Sequence, residues 1–196
     1  MDILTVVLAV LGTSIFTGLA TAMFNEFFVH YRERAALTRD ARYLAIRLAV
    51  IAEQFAIECA DRIASQQMHR QSGGGAGQSH GAVPELPSYP DQAKWETLDA
   101  GLLARALSLR NELPLSDKAI AFWADVDREC IPKECDQQCG KCGYMAWELA
   151  VDIRAHYGFP VFDPKRANWD IVATLKEGHE ALLSARKRAE SEATEK

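Results

Sequence analysis

"CIPKECDQQCGKCGY", Cys130 to Tyr144, holds four of the chain's five cysteines within thirteen positions. Whether it is a metal-binding loop or a length of helix decides the fold around it. With Pro132 in a first turn, Cys135, Cys139, Cys142, Ala146, Leu149 and Ile153 recur at steps of four, three, four, three and four. That spacing returns each residue to the same side of an α-helix and predicts one apolar stripe. Cysteine packs as a small hydrophobe and, in a reducing compartment, needs no covalent partner.

Two other readings of the segment stand beside the stripe. "CGKCG", Cys139 to Gly143, resembles a zinc knuckle, in which glycine lets backbone N–H groups approach a thiolate; structural zinc asks for four such ligands in a tetrahedron. "CDQQCGKC" is similar to the C-x3-C-x2-C cluster motif of radical S-adenosylmethionine enzymes. Those enzymes use a much larger α/β barrel, and this chain has neither the length nor the strands for one. What remains is an iron–sulfur cluster or a zinc ion on Cys130, Cys135, Cys139 and Cys142. Gly140 and Gly143 each weaken a helix by about 1 kcal/mol relative to alanine, which keeps the metal reading open beside the leading core stripe. Disulfides come last, since the predicted compartment disfavours them. Cys59, on another helix, reads as core.

Outward from this segment the pattern stays helical. Leu44, Leu48, Ile51 and Phe55 mark one amphipathic helix, and no proline interrupts Phe24 to Arg70. Thr38 is the only plausible new N-cap in that run. Leu98, Leu102, Ala106, Leu109 and Leu113 mark a second helix, which Pro114 is expected to stop. Ser116 is a candidate N-cap for a third, with Ile120, Trp123 and Val126 inward. Tyr144 to Tyr157 forms another, ended by Gly158. Ile171, Val172, Leu175, His179, Leu182 and Leu183 mark the last. Strand signals are nearly absent, so an antiparallel helical bundle is the predicted fold. Between the first two helices, residues 66–93 carry five of twelve glycines and three of seven prolines and read as a flexible loop.

The amino terminus differs. Ile3 to Phe24 runs 22 residues without a charge, about 33 Å of helix against a hydrocarbon core of about 30 Å. A signal peptide would want a basic leader, and only Met1 and Asp2 precede the run. Arg32, Arg34, Arg39, Arg42 and Arg47 follow it, which predicts a single-pass transmembrane helix with the C-terminal domain cytoplasmic. Ser14, Gly18 and Ala22 recur every four residues, a small-residue face suited to weak homo-oligomerisation. The organisation is therefore an anchor over 1–30, a juxtamembrane and first bundle helix over 31–65, the loop over 66–93, further bundle helices over 94–188 and a charged tail over 189–196.

Net charge −5 and a pI near 5.6 give no general attraction to nucleic acid. No catalytic set emerges, so no enzyme is predicted. Asp125, Asp127 and Glu129 alternate and diverge on a helix. His156 follows Asp152 by one turn with no nucleophile beside it, and His179 reads as a satisfied core histidine. The leading expectation is a membrane-anchored interaction or regulatory module with a cytoplasmic protein partner. A cysteine-based metal or iron–sulfur sensor or redox protein is the second, and an oligomeric membrane-perturbing effector the third.

Overall fold

The computed structural model describes the backbone of residues 3–90, 94–164 and 169–194; side chains are described beyond residue 25, except that of residue 27. Four α-helices are present among the described residues: α1 (Ile3–Gln71), α2 (Ala100–Val126), α3 (Ile131–Tyr157) and α4 (Ile171–Thr194), with 3-10 turns at Trp95–Thr97 and Arg128–Cys130 and no strand. The all-helical bundle is thus the observed architecture. The chain divides into two compact units, Met1–Ala41 and Arg42–Lys196.

In the first unit, residues 28–35 are exposed, and Thr38 is no N-cap: its hydroxyl donates to the Arg34 carbonyl inside the helix (2.9 Å). Among the described residues no helix is long and apolar enough to cross a membrane. The predicted span from Ile3 to Phe24, with Ser14, Gly18 and Ala22, lies where side chains fall outside the described residues.

The second unit holds the core. Leu44, Leu48, Phe55 and Cys59 of α1 meet Leu102, Ala106, Leu109 and Ile120 of α2, the cysteine stripe of α3, and Ile171 and Leu175 of α4. α2 starts on Asp99, whose carboxylate accepts from the N–H groups of Gly101 (2.9 Å) and Leu102 (3.0 Å). It then continues through Pro114, against expectation. Pro114 and Arg110, whose carbonyl loses its helical donor there, both lie on the exposed side, where water can satisfy that carbonyl. Ser116 is consequently mid-helix and buried, its hydroxyl 3.2 Å from the Cys142 sulfur, and Val126 points outward, 60% exposed. α3 ends as predicted, at Gly158 in the left-handed region (φ 64°).

Residues 66–93 also depart from expectation. α1 continues to Gln71, and the chain then folds back on it. Gly77, at φ 73°, lies where a Cβ would fall 2.1 Å from the Ser65 carbonyl oxygen, so only glycine permits the approach. Ser65 Oγ and Gln66 Oε1 accept from the N–H groups of Gln78 (3.0 Å) and His80 (2.9 Å). Val83 and Tyr89 are buried, and the Tyr89 hydroxyl donates to the Ala106 carbonyl (2.9 Å). The glycines make a tight reversal and the following stretch is a docked strap. The charged tail is likewise helical as far as Thr194, where serine and threonine hydroxyls bond back one turn.

Candidate functional site

The cysteine segment is helix, and its side chains separate into two environments. Cys135, Cys139 and Cys142 are buried on one face of α3, in line with Ala146, Leu149 and Ile153. Cys130 stands apart, half-exposed at the end of the preceding 3-10 turn, with its thiol donating to Asp127 Oδ2 (3.2 Å). Cys59 of α1 completes the buried set, and the Cys135 thiol donates to the Ala82 carbonyl of the strap (3.5 Å). All five cysteines are free thiols, and the disulfide reading finds no pair.

Each buried thiol is held in its protonated form. Burial pushes the Cys59 and Cys142 thiols up. The bond to Cys139, then burial, raises Cys135. For Cys139 the bond from Cys135 lowers the value, but the bond to Cys59 and burial outweigh it. A buried thiol kept from ionising is a poor nucleophile. Among the described residues no group of three or more His, Cys, Asp or Glu is placed to hold a metal ion. The zinc and iron–sulfur readings of Cys130, Cys135, Cys139 and Cys142 are therefore unsupported, because helical geometry keeps Cys130 away from the stripe. The Asp127 bond also pushes the Cys130 thiol up, but its exposure sets it apart. In native protein a small thiol reagent should therefore modify Cys130 well before the other four, and all five in guanidinium. Two or more fast native thiols would place the stripe at the surface.

The glycines have a different role from the one expected of a knuckle. A Cβ on Gly140 would lie 2.6 Å from Gly178 Cα, and one on Gly143 would lie 2.7 Å from Cys59 Cβ and 2.5 Å from Leu175 Cδ2. Gly140 brings α3 against the backbone of α4, and Gly143 makes room for the Cys59 and Leu175 side chains, which offsets their poor helix propensity.

Polar groups that no local pattern announced tie the helices together. Glu53 of α1, 5% exposed, accepts two hydrogen bonds from Arg154 of α3, at Nε (2.5 Å) and Nη2 (3.0 Å). That bond to Glu53 raises the Arg154 pKa further. Gln66, nearly inaccessible, donates to Asp136 Oδ1 (2.7 Å) and to the Pro132 carbonyl, and Arg70 donates to Asp136 Oδ2 (2.6 Å). Burial, only partly opposed by the bonds from Arg70 and Gln66, raises the Asp136 pKa.

Beside this network lies a groove of about 460 Å³ lined by Ile63, Arg70, Lys133, Asp136, Glu177 and Gly178, among others. Its one hydroxyl, Thr174, donates to the Asp170 carbonyl (3.0 Å) and accepts from Trp169 Nε1 (3.3 Å), so it is not poised as a nucleophile. Asp152 pairs with Arg105, not with His156, which instead meets the Tyr157 ring edge-on. His179 stacks on Tyr144 with ring centroids 5.5 Å apart, and its buried Nδ1 has no partner, so the expectation of a fully satisfied core histidine fails at that atom. Comparison of the chain with protein-family models, curated proteins and solved structures gives no match.

Proposed function

We propose that this protein is a membrane-anchored helical interaction module, held by Ile3 to Phe24 with its bundle on the cytoplasmic side. The observation that carries the reading is the uncharged 22-residue run followed closely by Arg32, Arg34 and Arg39. Its length suits a bilayer, and its basic flank suits the cytoplasmic face. Exposed Phe28, Val29 and Tyr31 beside those arginines support it, since an apolar and aromatic collar next to basic residues belongs at the headgroup level. The small face of Ser14, Gly18 and Ala22 adds a weak self-contact within the bilayer.

The bundle's part is to present surface to a protein partner. Its buried thiols are protonated and the Thr174 hydroxyl is engaged, which supports binding over catalysis. Alkaline carbonate should leave the full chain in the membrane pellet. A membrane-impermeant thiol probe should label a cysteine placed at Gly75 only after permeabilisation. Release by carbonate would remove the anchor, and labelling in intact cells would reverse the orientation.

A further inference from the structure

The C-terminal half of α2 carries an apolar face that no described residue of the second unit covers. Leu115, Phe122 and Val126 are 56%, 60% and 60% exposed, and Ala119 lies between them. Their steps of four, three and four gather them on one narrow stripe, about a quarter turn from the buried side marked by Ser116 and Ile120. Three large apolar side chains open to water along a single stripe mark an association surface.

We propose that this stripe is a self-association surface, occupied by the same stripe of a second copy running antiparallel. The pattern of volumes and charges singles out this occupant. About a two-fold axis, Leu115 faces Val126 of the second copy and Ala119 faces its Phe122, so the small residue meets the large one. Lys118 and Asp125, seven residues apart, flank the stripe on its outer side. Antiparallel pairing brings Lys118 of each copy to Asp125 of the other, twice by symmetry. Neither forms an ion pair within the described residues. A parallel pairing would set Phe122 against Phe122 and Lys118 near Trp123, losing both complementarities. Four side chains are well below the surface of a standard interface, so the association is weak and concentration-dependent.

Sedimentation velocity of the full chain in a mild nonionic detergent tests this, because two copies can meet there in either direction. The wild-type chain should show a reversible monomer–dimer equilibrium. Phe122→Glu should leave it monomeric with unchanged helical circular dichroism, the site being exposed. Lys118→Asp and Asp125→Lys should each weaken association about tenfold by placing like charges together, and the double exchange should restore it. A monomeric wild-type chain would overturn the proposal. So would single charge variants that associate normally, a double variant that stays weak, or association that Gly18→Leu alone abolishes.

Discussion

Arg154→Ala should lower the stability of the bundle by about 3 kcal/mol, the lower end of the cost of breaking a buried ion pair from one side. The removed guanidinium leaves Glu53, 5% exposed, with its two donors gone, and a carboxylate so placed cannot recover full hydration. The lower end applies because 14% of the Arg154 side chain remains open to solvent. Its Nη1 bond to the Pro160 carbonyl (2.8 Å) and its stacking over Phe162 are lost as well. The companion Glu53→Leu/Arg154→Leu chain should recover much of the loss, since an apolar pair needs no compensating charge. Urea unfolding followed by tryptophan fluorescence reads both, as a shift in midpoint at constant slope. Against a typical total of about 5–15 kcal/mol the single variant is a severe lesion. A change within about 0.5 kcal/mol would mean that the pair is hydrated in solution.

Gly140→Ala should destabilise by about 2 kcal/mol, although alanine is the better helix former by about 1 kcal/mol. The added methyl meets Gly178 Cα at 2.6 Å and the His179 nitrogen at 2.8 Å. Those are backbone atoms, and no rotamer change can clear them, so α3 and α4 must part along their contact. Gly178→Ala provides the internal comparison. Its nearest contacts are 3.0 Å to Gly140 Cα and 3.1 Å to the Asp136 carbonyl oxygen, a smaller displacement, and its loss should be clearly less. Gly101→Ala, whose nearest neighbour is the Asp99 carboxylate at 3.1 Å, should cost little. The order Gly140, Gly178, Gly101 in midpoint shift is the expected result. A stabilised Gly140→Ala would show that propensity governs the site and that the helices do not touch there.

The helical register of Cys135 to Ile153 was legible in the sequence because periodicity is a local property: six residues at alternating spacings share a face whatever lies opposite. The same reasoning located Gly158 as a terminus and Leu102, Ala106 and Leu109 as core, and the structure buries all three. Local rules failed where the deciding neighbour was distant in the chain. Pro114 reads as a stop, yet the core gripping α2 on both sides of it carries the helix through, because the lost hydrogen bond faces water. Gly140 and Gly143 look like a metal knuckle until Gly178 and Cys59 are seen against them. The glycine- and proline-rich stretch looks flexible until Gln66, Ser65 and Ala106 are found bonding to it.

Glu53 and Arg154 are separated by 101 residues, and neither has a motif around it. The sequence by itself therefore determined the all-helical class, the buried stripe of α3 and of the first half of α2, and the uncharged amino-terminal run, since each rests on residues within a few turns of one another; Val126 and Leu183, expected inward, are exposed. Only the tertiary structure decided which glycines are contacts, which charges are paired and which apolar face of α2 stays open. Those depend on which helix lies across the gap, and hydrophobic periodicity states that a face is buried without naming its neighbour.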